Sequence, residues 1–177
     1  NKHEVLQQQR ASAASKKVEH SEWDVPKERI YNELYQLREA EIHALEPFYE
    51  GTRASNPEKE FVAFLEKNKA HIEWWYKNGD KNKEDFAVTY EDANGLMRVF
   101  YVDFVIKLKS GPIALFDTKT PGSDAEFVSK HNALIQYLNE NSKPEKQLIG
   151  GVIVPKGTPE NRTWKFCDNL INNSLDT

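Results

Sequence analysis

Cysteine, methionine and long apolar runs are scarce in this chain. Among its 177 residues there is one cysteine, Cys167, and one methionine, Met97. A single cysteine excludes an internal disulfide framework and a cysteine zinc site, and it is compatible with a reducing cytoplasm. No apolar run approaches membrane-spanning length and no signal-peptide pattern opens the chain, so we expect a cytoplasmic protein with no membrane partner. Because the chain starts at Asn1 and has so few methionines, we also expect it to have been cut from a longer protein.

Several catalytic motifs are missing as well. No glycine-rich GxxxxGK[ST] loop is present, so the chain is not itself an ATPase motor. No Gly-x-Ser-x-Gly elbow and no Cys/His pair at a plausible strand end supports acyl transfer. The formal net charge of −4 and the isoelectric point near 5.8 suit a protein that does not hold DNA unaided. Any action on DNA therefore needs affinity from another domain, from a metal or from a local basic patch.

What the sequence does contain is a hairpin pattern from Phe100 to Lys119. Two runs of β-branched and aromatic residues flank a Ser-Gly turn, which is a hairpin signal. A three-residue loop with Gly111 in the left-handed conformation would place Asp103 opposite Asp117. A two-residue loop would pair Asp103 with Thr118 instead. The position of the acids therefore depends on Gly111.

In the three-residue register, three charged groups share one face of the sheet. Directly opposed residues of antiparallel strands have Cβ atoms roughly 5 Å apart, and Lys119 points to the same side as Asp117. Two carboxylates this close repel each other unless a cation lies between them, and hard divalent ions such as Mg²⁺ or Mn²⁺ prefer oxygen ligands. The alternative is that Lys119 bridges Asp103 and Asp117 as a buried ion pair. Spacing alone does not separate the two interpretations.

These residues resemble the signature of the PD-(D/E)XK nuclease superfamily. Val102-Asp103 stands at the usual Pro-Asp position, and Asp117-Thr118-Lys119 matches (D/E)-X-K. The surrounding Phe-Tyr-Val-Asp-Phe-Val-Ile and Leu-Phe-Asp-Thr-Lys resemble the C-terminal endonuclease domain of type III restriction subunits and related helicases. The resemblance covers roughly residues 56 to 155. The missing proline reflects a preference in strand shape rather than in chemistry.

The resemblance implies a fold and an activity. The fold is a restriction-endonuclease-like α-β-β-β-α-β core, an α/β arrangement with a central mixed sheet flanked by helices. The activity is Mg²⁺- or Mn²⁺-dependent cleavage of DNA. Asp103 and Asp117 would bind the metal with the Thr118 carbonyl, and Lys119 would orient the attacking water. Implied partners are DNA, a helicase or ATPase domain in the full-length chain, and a methyltransferase or specificity subunit. The alternative is an inactive nuclease fold that binds nucleic acid or a partner subunit.

A fourth candidate for the site lies on a helix upstream. Asn56 is the predicted N-cap, and Pro57 takes the first helical position. Glu58 lies within roughly 40° of the centre of the apolar face of this helix, so it needs a polar partner in the core. It would act on the metal directly or through a water. The alternative is that Glu58 only complements the helix dipole.

The residues before this helix predict a separate accessory segment. Apolar residues at helical spacing predict a helix from Pro26 to Leu45, with His43 on its surface rather than in a metal site. We therefore divide the chain into a helical linker or accessory segment over 1–54 and a nuclease-like domain over 55–177.

The rest of the domain reads as strands and one further helix. Strands are expected over 71–79, 86–90 and 96–108, the last two forming an antiparallel meander with the strand before Lys119. Trp74 and Trp75 either cover the sheet or stack on unpaired bases. An apolar strand over 148–154 is expected to return beside the hairpin, and the sequence leaves the segment from Trp164 onward open between strand and helix.

The second helix carries two candidates. A capping box, Ser123-x-x-Glu126, predicts its start, and it should end near Asn141. Lys130 is a candidate phosphate contact, with a solvated lysine as the alternative. His131 lies in the buried stripe and is expected to be a core histidine rather than a catalytic one.

Overall fold

A computed structural model describes residues 23–79, 84–119 and 126–171. Its two α-helices and nine β-strands within these ranges are β1 (Tyr35–Leu37), β2 (Tyr49–Gly51), α1 (Asn56–Lys67), β3 (Ile72–Lys77), β4 (Ala87–Glu91), β5 (Met97–Tyr101), β6 (Phe104–Leu108), β7 (Ile113–Thr118), α2 (Phe127–Asn141), β8 (Leu148–Lys156) and β9 (Thr163–Cys167).

The central sheet is five-stranded and mixed. Its strand order is β3-β6-β7-β8-β9, in which β7 and β8 are parallel and every other neighbouring pair is antiparallel. The parallel pair requires a crossover, and α2 supplies it as predicted. Two further sheets, β1-β2 and β4-β5, have two strands each. The chain is therefore a mixed α/β protein with a central mixed sheet and, among the described residues, two helices.

One helix covers each face of the central sheet. Successive side chains of a strand point to opposite faces, and β6 shows this clearly because Phe104 and Val105 belong to different apolar clusters. The Phe104 cluster contains the buried face of α1, including Phe61. The Val105 cluster contains the buried face of α2, including Leu134. Both faces of the sheet are thus covered, which explains why β6 is apolar throughout its first three residues.

The β6–β7 hairpin has the predicted register. Gly111 has a φ of 117°, and its N–H donates to the Leu108 carbonyl over 3.0 Å. Leu108 in turn donates to the Pro112 carbonyl over 2.9 Å, and Phe104 pairs with Phe116. This count places Asp103 opposite Asp117, just beyond the paired residues. The three-residue loop is confirmed.

The long strand predicted over 96–108 is divided, and this part of the prediction is wrong. The extended chain breaks at Val102 and Asp103, so β5 pairs with β4 in the small sheet while β6 pairs with β3 and β7 in the central one. Asn78 holds the break: its backbone N–H donates to the Asp103 carbonyl, and its side-chain amide donates to the carbonyls of Val102 and Phe86. The division sets Asp103 outside both ladders, where its side chain can turn toward β7.

The helix predicted from Pro26 to Leu45 is wrong. Among the described residues 23–54 there is no helix, and the predicted apolar stripe is largely in solvent, with Ile30 96% and Leu37 66% exposed. The segment 42–44 instead runs parallel to β3 and exchanges two backbone hydrogen bonds with Trp75. Pairing with the sheet edge satisfies these backbone groups without a helix, so tertiary contacts override the local pattern.

Both helices begin differently from the prediction. The N-cap of α1 is Ser55 rather than Asn56, and Ser55 and Glu58 form a reciprocal capping box. Ser123 lies outside the described residues, and Glu126 stands at the N-cap of α2 without a side-chain cap bond.

The end of α2 at Asn141 is confirmed, and the undecided segment from Trp164 is the strand β9. In the described ranges, neither helix combines the length and apolarity needed to cross a bilayer.

Candidate active site

Polar side chains meet where the amino end of β6 adjoins the carboxyl ends of β3 and β7. Asp103 immediately precedes β6, Asp117 and Thr118 are the last residues of β7, and Lys77 is the last residue of β3. Glu58 reaches this edge from the first turn of α1. The structure therefore brings residues from α1 and β3 together with residues of the β6–β7 hairpin.

Asp103 is an ionised acid held by three donors. One of its oxygens, Oδ2, accepts hydrogen bonds from the backbone N–H and the hydroxyl of Thr118, at 2.7 and 2.5 Å. The other, Oδ1, lies 3.1 Å from the Lys77 ammonium. Burial alone would raise the pKa of Asp103, but the Lys77 charge and the Thr118 hydrogen bonds outweigh it and the pKa is lowered. Asp103 is therefore negative at neutral pH.

Asp117 differs from Asp103 although the two are adjacent. Its side chain is 5% exposed and lies 3.1 Å from the Lys119 ammonium, measured from Oδ2 to Nζ. The Asp103 carboxylate is within hydrogen-bonding reach of the Asp117 carboxyl group. Burial, and then repulsion from Asp103, raises the pKa of Asp117 to about 7, and Lys119 offsets this only in part. Asp117 can therefore hold a proton near neutral pH.

Glu58 is fully engaged by its neighbours. Oε1 lies 2.9 Å from the Lys77 ammonium, and Oε2 accepts a 2.7 Å hydrogen bond from the Ser55 N–H in the capping box. The side chain is 20% exposed. Glu58 thus joins the predicted acids through Lys77. It also stands in the first turn of α1, where the alternative interpretation set it against the helix dipole, and it takes part in the capping box.

Lys77 is the member of this cluster that sequence analysis missed. Its ammonium lies between Glu58 and Asp103 and 4.9 Å from the centre of the Phe104 ring. Burial alone would lower the pKa of Lys77, but the two carboxylates outweigh burial and raise it above its usual value. A signal was present in the sequence: Lys77 is in phase with Trp75, which is fully buried, and the alternation of a strand turns both side chains to the same face.

The position of Lys77 also bears on the ion-pair alternative. That alternative expected Lys119 to bridge both aspartates. The structure pairs Lys119 with Asp117 and gives Asp103 a different lysine. Each aspartate therefore has its own cationic neighbour, and the two carboxyl groups face each other between them.

The donor set fits a hard divalent ion held by two acids. No group of three His, Cys, Asp or Glu side chains in the described ranges is arranged to hold a metal. Mg²⁺, however, commonly binds through one or two carboxylates and completes its shell with water and phosphate oxygens. Burial, and then the neighbouring Asp103 carboxylate, raises the pKa of Asp117, and a cation beside it would favour the ionised form. The Thr118 N–H points at Asp103, so the Thr118 carbonyl lies on the same side of its strand.

The remaining candidates lie around this centre. Trp75 is fully buried and donates to Glu66, and Trp74 is half-buried against the α2-side core, so the aromatic pair covers the sheet. His43 is buried within the segment beside β3, and its Nε2 accepts a hydrogen bond from the Lys77 backbone N–H over 3.2 Å. Burial lowers the pKa of His43 to about 4. His43 is therefore a neutral support for the strand end that carries Lys77.

Two candidates on α2 have other neighbours. Lys130 lies 3.6 Å from Glu126 and 5.5 Å from the centre of the Tyr90 ring. Its contact with phosphate stays a prediction. His131 is fully buried, and its Nε2 bonds the Asn169 carbonyl over 2.8 Å, which anchors the segment after β9 to the helix. Its position agrees with a core histidine, although Nδ1 has no hydrogen-bond partner among the described residues.

Comparison with known proteins yields a match to a family model. A search of curated proteins and a search of solved structures both return nothing that matches the chain. A sequence model of the YagJ family matches residues 43–157, roughly two thirds of the chain. This range contains every residue of the site from Glu58 to Lys119. By this match the chain belongs to the YagJ family.

Proposed function

We propose that the chain is a metal-dependent DNA endonuclease domain that hydrolyses phosphodiester bonds. One observation carries the proposal: Asp103, Asp117 and Lys119, which resemble the PD-(D/E)XK signature, meet at one edge of the sheet. Buried acids with strongly shifted pKa values occur preferentially at functional sites. The raised pKa of the buried Asp117 is of this kind.

The order of elements gives further support. The series α1, β3, β6, β7, α2, β8 follows the helix, three strands, helix, strand order of the restriction-endonuclease-like core, with the β4–β5 hairpin inserted after β3. The first three of these strands are antiparallel neighbours and the fourth is parallel to the third. We propose this finer topology as the reason that the acids lie where they do.

The chemistry follows from the charges at the site. Asp103, Asp117 and the Thr118 carbonyl would hold Mg²⁺ or Mn²⁺, which when bound would stabilise charge on the phosphate. Lys119, next to Asp117, would orient a water for in-line attack on phosphorus. The water oxygen forms a bond to phosphorus and the water gives up one proton. The bond between phosphorus and the leaving oxygen breaks, and the leaving oxygen takes up a proton. Lys130 would contact a neighbouring phosphate.

The proposed partners follow from the weak electrostatic attraction for DNA. A chain with a formal net charge of −4 gains little from long-range attraction to a polyanion. We therefore propose that a helicase or ATPase domain in the same full-length protein delivers the DNA. A methyltransferase or specificity subunit would then set where cutting occurs.

A second function is favoured by the Lys77 geometry. Lys77 already balances Glu58 and Asp103, and Thr118 satisfies the second oxygen of Asp103. Such a network is stable without a metal, as expected for a nuclease fold that binds nucleic acid or a partner subunit without cutting. The two functions differ in one property, which is cation-dependent cleavage.

Plasmid nicking distinguishes them. The wild-type chain, alone or within its parent protein, is expected to nick supercoiled DNA with Mg²⁺ or Mn²⁺ and to stop when EDTA is added. Asp117→Ala and Lys119→Ala should each lower the rate by about 100-fold or more, because each removes a group that acts in the transition state.

The matched control is Lys165→Ala, which removes an exposed lysine from β9 and should cut like the wild type. Circular dichroism melts of all variants separate lost chemistry from lost folding. Full cleavage by Lys119→Ala, or cleavage that EDTA leaves unchanged, would contradict the proposal.

A further inference from the structure

We infer that Lys77 acts as a built-in cation at the Glu58–Asp103 end of the site, so that the site takes one divalent ion, at Asp103 and Asp117, rather than two. Glu58 is then a positioning residue that holds Lys77, not a metal ligand. The inference rests on the proposed function and adds the number of ions and the role of Lys77 to it.

Geometry places Lys77 where a second ion would have to bind. Its ammonium is 2.9 Å from Glu58 Oε1 and 3.1 Å from Asp103 Oδ1. A cation bridging these two carboxylates would occupy the same space. Lys77 must therefore leave before Glu58 can bind a metal.

The backbone around Lys77 is fixed from two sides. Its N–H donates to the ring of the buried His43, and the next residue donates from its own N–H to the Asp103 carbonyl over 2.9 Å. In the ladder, Lys77 pairs directly with Phe104, which follows Asp103 in the chain. The ammonium is thus held close to Asp103 by main-chain pairing as well as by its charge.

Glu58 is committed to this arrangement. Its second oxygen accepts the Ser55 N–H that begins α1. Turning the carboxylate toward a metal would break the capping box as well as the ion pair with Lys77. The Ser55 N–H would lose its acceptor in that change, so the capping box holds Glu58 in place.

The charge balance favours one added ion. Within the part of the chain that the structure describes, this cluster contains two lysines, Lys77 and Lys119, and three acids, Glu58, Asp103 and Asp117. The cluster has one excess negative charge when all three acids are ionised. One divalent ion reverses that charge, and a second would meet repulsion from the first ion and from both ammonium groups.

Calorimetric titration of the full chain with Mn²⁺ tests the inference. The wild type should bind one ion. Lys77→Met removes the charge at nearly constant length, and it should bind a second ion or bind the first about tenfold more tightly or more. Lys77→Arg, which keeps the charge, should behave like the wild type.

A double substitution tests the role of Glu58. The gain in Lys77→Met depends on the carboxylate that Lys77 had neutralised, so Lys77→Met with Glu58→Gln should return to one ion. Lys69→Met is the matched control, because Lys69 pairs with the exposed Glu41. It should leave Mn²⁺ binding unchanged.

The outcomes separate this inference from the proposed function. If wild type and Lys77→Met bind Mn²⁺ equally and Asp117→Asn does not bind it, the role of Lys77 is overturned while the metal site stands. Two ions in the wild type would also overturn it. No binding by either chain would overturn the inference together with the metal-dependent function. Binding by Lys77→Met alone would contradict both the single ion of this inference and metal use by the native chain.

Discussion

Two hairpins of this protein each contain a buried aspartate, and they treat it in opposite ways. In the β4–β5 hairpin, Asp92 accepts hydrogen bonds from the Asn94 and Leu96 N–H groups and from Arg98. These bonds, above all the one from Leu96, lower the pKa of Asp92. In the β6–β7 hairpin, burial and Asp103 raise the pKa of Asp117. An acid satisfied by its own turn stabilises structure, whereas an acid left beside another acid is available for a ligand.

The largest expected difference between the two hairpins is in metal binding. Asp103→Asn, at the open end of β6–β7, should weaken Mn²⁺ binding by about 100-fold, because it removes one of two charged ligands. Asp92→Asn should leave binding unchanged, since Asp92 is committed to its turn. Titration calorimetry measures both, and equal losses in the two variants would show that the hairpins do not differ in this respect.

Asp117 and Asp92 should affect the stability of the fold with opposite signs. Asp117 has a raised pKa when folded, so its contribution to stability is greatest below about pH 4 and is lost as the pH rises to about 7. Asp117→Asn should therefore raise the free energy of unfolding of the metal-free chain at pH 7.5, where the wild-type carboxyl group is largely ionised in a buried place. Urea melts from pH 4 to 8 should show that the gain disappears at the acid end.

Asp92 supplies the control for this pH dependence. Its pKa is lowered in the folded state, so its contribution is present at neutral pH and is lost as the pH falls through the folded-state pKa. Asp92→Asn should lower the melting temperature at pH 7. Stabilisation by Asp92→Asn, or destabilisation by Asp117→Asn, would remove the distinction between the two acids.

The smallest expected difference concerns the glycines of the two turns. Gly111 has a φ of 117° and Gly95 a φ of 74°, and neither has a backbone atom close to where a Cβ would lie. The value at Gly95 is nearer the left-handed region that other residues can enter. Gly95→Ala should cost about 1 kcal/mol and Gly111→Ala about 2 kcal/mol. Only Gly111→Ala should also slow cleavage, because it shifts Asp103 relative to Asp117.

Sequence reasoning succeeded where local chemistry fixes geometry. The Ser-Gly turn determined the β6–β7 register and therefore which acids face each other. The helix over Asn56–Lys67 and the apolar parallel strand β8 were also readable, because their periodicity is set by burial. In each of these cases a short stretch of chain carries enough information by itself.

It failed where the partner is remote in sequence. The segment from Pro26 to Leu45 has helical spacing, but its backbone pairs with Trp75 some thirty residues later. Lys77 joins the site because β3 pairs with β6 rather than with β4, which follows it in the chain. The break at Val102 has no local marker, since the sequence is apolar on both sides. These features depend on which distant strands pair, and the residue pattern of a single strand does not identify its pairing partner.

The side chain of Asn78 makes three hydrogen bonds, two donated and one accepted, that join the break before Asp103 to Phe86, and this makes it difficult to replace. Its amide nitrogen serves two carbonyl oxygens at once, from Phe86 and Val102, while its oxygen accepts the Phe86 N–H. An aspartate has the same shape, but its negative charge would lie against both carbonyl oxygens. The charge would also stand next to Lys77 in the chain and close to Asp103, whose carbonyl accepts a hydrogen bond from the N–H of residue 78. Replacing this one amide by a carboxylate removes no packing. It would nevertheless weaken the connection between the β4–β5 sheet and the central sheet, and it would shift Asp103 relative to Asp117.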